Sequence, residues 1–222
     1  MNRSIFPCIA TSSNLVFGVI GITMSAKGCY EGAAICVLLS LLADALDGRI
    51  ARALGVAGPL GRELDSLADV VGFGVSPAFL LFSKELFGMG WLSYVPLLAF
   101  AVCGAFRLAR FNIMTEEVHG YFQGLPIPAA GCMVATYVLC GVSVSPIIVL
   151  IAMIVVGYLM VSNVHYPDFK GKSADVMHKI AIGIVVLLFI IGMILNWHAW
   201  AVLIFVLYAL FGILNTLFNR FR

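Results

Sequence analysis

Charged residues are scarce in this chain. Asp, Glu, Lys and Arg make up 11% of its 222 residues, against about a quarter in a soluble domain. Hydrophobic residues reach 62% and the mean hydropathy is +1.08. A chain so composed cannot cover itself with polar groups, so lipid must solvate it. It also lacks any basic run, and a net charge of +2 gives no electrostatic footprint for nucleic acid. The six cysteines, Cys8, Cys29, Cys36, Cys103, Cys132 and Cys140, form no CxxC pair. That speaks against a zinc knuckle or a disulfide framework and leaves them as small thiols among apolar side chains. A clean leader core is missing too. The first apolar run, from Ile5, is interrupted by Thr11, Ser12, Ser13 and Asn14 with no small-residue cleavage site after it, so it is expected to stay as a first helix.

What remains is long apolar stretches, and a spanning helix needs about 20 such residues. Breaks at polar and Gly/Pro clusters predict an all-α, polytopic integral membrane protein of about eight transmembrane helices, near 10–27, 31–54, 61–86, 91–112, 126–143, 145–163, 177–195 and 198–219. The fifth and sixth are separated only by Gly141 to Pro146. Positive charge gives an independent check. Eleven basic residues (Arg3, Arg49, Arg52, Arg62, Arg107, Arg110, Lys170, Lys172, Lys179, Arg220 and Arg222) fall on one side, and only Lys27 and Lys84 on the other. The richer side is the cytoplasmic one, which puts both termini in the cytoplasm of a cell-membrane protein and requires an even number of spans. Trp91, Trp197 and Trp200 then stand at the opposite interface. No linker divides the chain, so residues 1–222 read as a single membrane domain.

Ionisable residues inside spanning helices are costly and mark function. Asp44 and Asp47 near the end of the second helix are three apart, and Asp65 and Asp69 near the start of the third are four apart, so each pair shares a helical face. The short connection makes the two helices antiparallel neighbours, and the acidic faces meet near the cytoplasmic boundary. Four carboxylates brought together repel unless a counter-ion is present. Two divalent cations answer that need, and hard oxygen ligands select Mg²⁺, Mn²⁺ or Ca²⁺ over zinc. A metal pair suits phosphoryl displacement. Gly48 and Ala51 are small and leave room for a nucleotide, Gly58 and Gly61 make the connection adaptable, and Arg52 and Arg62 can neutralise phosphate oxygens. Two other readings use the same acids: buried ion pairs with Arg49, Arg52 or Arg62, and the ion site of a cation transporter.

The pattern D-x2-D-G-x2-A-R-x8-G-x3-D-x3-D runs through Asp44, Asp47, Gly48, Ala51, Arg52, Gly61, Asp65 and Asp69. With every fixed position matched, the chain resembles the CDP-alcohol phosphatidyltransferases. The resemblance implies a membrane enzyme, usually a homodimer, that displaces CMP from a CDP-linked lipid such as CDP-diacylglycerol with an alcohol. It implies that Asp44, Asp47 and Asp65 hold one metal, that Asp65 and Asp69 help hold a second (Mg²⁺ or Mn²⁺), and that Asp69 is the general base. It also implies that the CDP moiety lies against Gly48, Arg52 and Gly58, and we extend this set to Asn14, Ala51, Gly61 and Arg62.

The acceptor is read from weaker signals. Arg107-Leu-Ala-Arg-Phe-Asn112, Phe122-Gln-Gly-Leu-Pro-Ile-Pro128, Leu159-Met-Val-Ser162 with Tyr166, Phe169 and Lys170, and Thr11, Asn14 and Gly18 resemble the L-serine-using branch of that family. The likeness covers the chain to about Lys172, giving a six-helix core over 1–172 and two additional helices over 173–222. Arg107 and Arg110, three apart, suit a carboxylate or a phosphate, and Asn112, Gln123 and Ser162 can bond the remaining polar groups of serine. A phosphorylated acceptor, glycerol 3-phosphate or inositol phosphate, stays open as the alternative.

Overall fold

The computed structural model describes residues 5–55, 58–114, 121–167 and 200–220. Helix α1 (Ile5–Ala26) and helix α2 (Tyr30–Leu54) form an antiparallel hairpin. Its turn closes at Gly28, whose φ of 77° suits a residue without Cβ, while Cys29 N donates back to Met24 O at 2.9 Å. Gly18, Gly21, Ala33 and Ala34 are buried, and small residues of this kind let helices in lipid approach closely. Helix α3 (Pro59–Asp69) opens with extended Gly58 and with proline in its first turn, where a missing N–H costs nothing.

Beyond Asp69 the helix runs on, but not as the uniform 61–86 helix expected. It widens into a π turn over Val70–Val75, tightens as α4 (Ser76–Leu81), widens again over Phe82–Leu86, and ends in a 3-10 segment, Phe87–Ser93. Gly90 breaks the run with a positive φ of 63°, so the next helix, α5 (Tyr94–Met114), starts three residues later than expected. Helices α6 (Ile127–Leu139) and α7 (Pro146–Val161) are separated across the expected Gly141–Pro146 break, with Gly141 at a φ of 65°. Helix α8 (Trp200–Arg220) matches the last expected span; the one at 177–195 lies outside the described residues.

Periodicity gave no sign of one element. Strands β1 (Tyr121–Gln123) and β2 (His165–Pro167) pair antiparallel, Phe122 opposite Tyr166, in an otherwise helical molecule. Each strand has only three residues, too few for alternation to register. The ribbon is held by Gly124, at a φ of 77°, where a Cβ would collide with Met160 O.

The core is built around α6. Ile127 and Ala130 are fully buried with Phe73 and Phe100, and a Cβ on Gly131 would come within 3.0 Å of the Phe73 backbone. Tyr166 is also fully buried, stacked 5.3 Å from Tyr208 of α8 and donating to Ala209 O at 3.5 Å. Burial pushes its phenol well above the ordinary range, so it remains a neutral donor. Outward faces carry large apolar side chains: Leu42, Leu98, Phe106, Ile147 and Tyr158 are all more than half exposed. Such a surface belongs in lipid. Two described helical stretches, Ile9–Ala26 and Leu60–Ile113, are long and apolar enough to cross a bilayer. Near the middle of the second, Lys84 and Glu85 pair with each other, and the Lys84 ammonium lies 5.9 Å from the Tyr137 ring centre.

Candidate active site

Three helices converge on the aspartates. Helix α2 carries Asp44 and Asp47, α3 carries Asp65 and Asp69, and α1 presents Thr11 and Asn14 to them. Asp44, Asp47 and Asp65 each bring an oxygen within 4.8 Å of the others. Asp69, a turn beyond Asp65, is 7% exposed and within electrostatic reach of Asp44 and Asp65. Thr11 Oγ1 donates to Asp47 Oδ2 at 2.7 Å, and Asn14 Nδ2 donates to Asp69 Oδ1 at 2.9 Å.

Neutralising this charge is the central electrostatic problem, and the expected arginines do not solve it. Arg49 and Arg62 point to solvent, and Lys84–Glu85 is the one ion pair among the described residues. The Arg52 side chain lies outside them. The acids are therefore not explained as halves of buried ion pairs among the described side chains. A divalent cation fits instead: the donors are hard carboxylate oxygens, three of them cluster, and Asp65 Oδ1 is shut from solvent with no hydrogen-bond partner. The space beside Gly58 and Gly61 is open, with nothing within 4 Å of where a Cβ would stand. Gly48 and Ala51, on α2 next to the aspartates, are only partly buried.

The residues expected to grip the acceptor divide into two groups. Arg110 is committed to main-chain oxygens, donating to Val161 O (3.0 Å), Ser162 O (3.0 Å) and Gln123 O (3.2 Å), and to Asn163 Oδ1 at 3.4 Å. Gln123 Nε2 donates to the same Asn163 oxygen at 2.8 Å, and Ser162 Oγ donates to Leu159 O at 2.8 Å. Arg110, Gln123 and Ser162 thus tie α5 to the ribbon and to the end of α7. Arg107 differs. It is 6% exposed, its guanidinium sits 4.9 Å from the centre of the Phe111 ring, and its Nε is buried with no hydrogen-bond partner. Asp69 and Tyr208 are within its electrostatic reach. Asn112 Nδ2 donates to Ser66 Oγ at 2.9 Å, which ties α5 to α3 between Asp65 and Asp69.

Residues 4–161 match the profile of the CDP-alcohol phosphatidyltransferase family. The chain belongs to that family. It is 34% identical to the CDP-diacylglycerol–serine O-phosphatidyltransferase of Helicobacter pylori strain 26695, over 96% of this chain and 92% of that protein. The enzyme of the same name from Bacillus subtilis is 34% identical over 76% of this chain and 93% of its own length. An archaetidylserine synthase from Methanothermobacter thermautotrophicus is 35% identical over 76% of this chain and 72% of its own length.

For this CDP-alcohol phosphatidyltransferase, the sequence singled out the acids and few of the residues packed around them. Thr11 entered only as part of a motif, and Ser40 and Gly72, which pack around Asn14, were not singled out. Nor were Asn163, which joins the Arg110 network, and Tyr208, which stands near Arg107 from a helix beyond the family match. Each is an ordinary helical or loop residue in sequence. Distances across helices, which no local pattern encodes, are what bring them to the site.

Proposed function

We propose that this chain transfers the phosphatidyl group of CDP-diacylglycerol, or its ether-lipid equivalent, to L-serine and releases CMP. Family membership supports the CDP-lipid chemistry, and the names of the relatives support serine. One geometric observation carries the reading. A cluster of carboxylates lies beside a buried arginine that makes no ion pair among the described residues. The site thus offers a cation-binding half and an anion-binding half.

In this reading Asp44, Asp47 and Asp65 hold one divalent cation, and Asp65 and Asp69 help hold a second, Mg²⁺ or Mn²⁺. When bound, the cations supply charge neutralisation for the pyrophosphate and the departing CMP. Gly48, Ala51, Gly58 and Gly61 leave space for the CDP moiety, with Arg52 and Arg62 near its phosphates. Asp69 takes the proton from the serine hydroxyl. The serine oxygen forms a bond to the lipid-side phosphorus as the phosphoanhydride bond breaks, and CMP leaves with the electron pair. Arg107 receives the serine carboxylate. Asn112 and the network of Arg110, Gln123, Asn163 and Ser162 shape the pocket beside it.

We further propose that the chain crosses the cell membrane eight times, with both termini and the active site on the cytoplasmic side. Residues 1–172 are the catalytic core, 173–222 add two helices, and two copies associate as a homodimer. The deciding experiment is CMP release from CDP-diacylglycerol by purified protein, with serine compared against glycerol 3-phosphate and inositol phosphate. Serine-dependent CMP and phosphatidylserine are expected, lost on chelation and restored by Mn²⁺ or Mg²⁺. Release with another alcohol but not with serine overturns the acceptor, and ion flux without CDP-lipid turnover overturns the enzyme.

A further inference from the structure

Asn14 is the one amide side chain of helix α1 and is among the most enclosed side chains of the described residues, with 0% exposure. Burying an amide in an apolar bundle costs several kcal/mol unless its hydrogen bonds are replaced, so where those bonds go defines its role. Its Nδ2 donates to Asp69 Oδ1 at 2.9 Å, and its main-chain carbonyl accepts from Ser40 Oγ at 3.2 Å. Its Oδ1 is buried without a partner and faces Gly72, where an added Cβ would collide with it. One turn further along α1, a Cβ on Gly18 would come within 3.0 Å of Gly72 Cα. Gly72 lies in the π turn that follows Asp69. Such turns re-aim side chains and recur at functional sites.

Asn14 is therefore locked by α2 on one side and by the π turn on the other, and its amide hydrogen bond is given to Asp69. Three residues earlier on the same face, Thr11 does the same for Asp47. A side chain with no exposed surface whose amide already bonds Asp69 is poorly placed to bind the CDP-lipid, the role to which the sequence reading extends it.

We infer that Asn14 is a positioning residue: it holds Asp69 through Oδ1 and so presents Oδ2 to the acceptor hydroxyl. The inference rests on Asp69 being the base in the reaction proposed above. Helix α1 is then a positioning element of the active site, fixing one carboxylate on α2 and one on α3 from a single face. Gly72 is required because any side chain there displaces the amide.

The test separates kcat from KM. Partners that orient metal-site and catalytic carboxylates are typically worth about 10–100-fold. Asn14→Ala is expected to lower kcat by about that factor while KM for the CDP-lipid stays within about twofold of wild type. Asn14→Asp keeps the shape and removes the donor, and is expected to lose at least as much. Gly72→Ala is expected to reproduce the kcat loss with Asn14 present, yet to add little in an Asn14→Ala background, because the atom it strikes is gone. Ser13→Ala, on α1 but bonded only to Ile9 O, is the control and should match wild type.

A raised KM for the CDP-lipid with kcat retained overturns the inference in favour of lipid binding. Wild-type kcat in Asn14→Asp, or additive losses in the double variant, overturn it equally. If Asn14→Ala fails to give a monodisperse peak in detergent, Asn14→Asp and Gly72→Ala carry the same comparison. If the wild-type protein releases CMP with a different acceptor, the serine reading falls and the comparison is run with that acceptor. If it releases none with any acceptor, both fall.

Discussion

At the scale of single residues, the site is decided by which polar groups have partners and which do not. Asp69 receives a bond from Asn14, whereas Arg107, equally enclosed, has an Nε with no hydrogen-bond partner and no ion pair among the described residues. Asp69→Asn keeps the size and removes the proposed base, so kcat is expected to fall by about 10²–10⁴-fold in the CMP-release assay. Arg107→Ala should act on the acceptor instead. Losing a hydrogen-bonded charge costs about 1.5–3 kcal/mol, which raises KM for serine about 10–100-fold and leaves KM for CDP-diacylglycerol unchanged. Arg110→Ala is expected to differ from both, because its guanidinium holds main-chain oxygens of α7 and the ribbon. It should lower the melting temperature in detergent, and a variant of normal stability with a selective serine defect would show that Arg110 binds the acceptor directly. Spacing alone made the two arginines equivalent; hydrogen bonding separates them.

At the scale of elements, most helices were legible because their apolar runs are long and their ends carry Gly or Pro. Gly28 closing α1, Gly58-Pro59 opening α3, and Gly141 with Pro146 between α6 and α7 are signals any chain of L-residues must obey. The two π turns and the ribbon were not legible. A π turn adds one residue without changing composition, and the first of them coincides with a contact across helices, where Gly72 packs on Asn14 and Gly18. The ribbon depends on α7 delivering Val164 beside Gly124, whose N–H donates to Val164 O at 2.9 Å. Gly124→Ala would meet both a φ of 77° and the Met160 carbonyl. A cost of about 1–3 kcal/mol is expected, read as a melting temperature lowered by about 2–4 °C per kcal/mol. Gly212→Ala, whose Cβ would strike the Tyr166 ring, should loosen α8 from β2 and lower stability in the same assay.

At the scale of the whole molecule, two separations of chemistry follow from its being solvated by lipid. Polar work gathers around the aspartates, while Lys84 and Glu85 neutralise each other near the other end of the α3–α4 helical run. Outward faces are left to leucine, isoleucine and phenylalanine. The proposed topology puts the exposed Cys29 at the α1–α2 turn outside the cell and Glu63 inside. In intact cells a membrane-impermeant maleimide should label a variant retaining only Cys29. It should spare a variant whose single cysteine is Glu63→Cys until the membrane is opened. The reverse pattern would invert the topology and the side from which serine is drawn.

Some properties of this protein were settled by residue order alone. The lipid solvent, the helical class and the pairing of acids by faces follow from composition and from the 3.6-residue repeat, both local properties of a chain. The family signature is local too, twenty-six consecutive positions from Asp44 to Asp69. Tertiary structure decided the rest. It aimed Asn14 and Thr11 at acids 55 and 36 residues away, bound Arg110 to the ribbon, and left Arg107 buried without an ion pair among the described residues. Those outcomes depend on how closely helices approach, which glycines such as Gly18, Gly72 and Gly131 permit. They depend also on the rule that each polar group withdrawn from water must find a partner wherever packing has placed one.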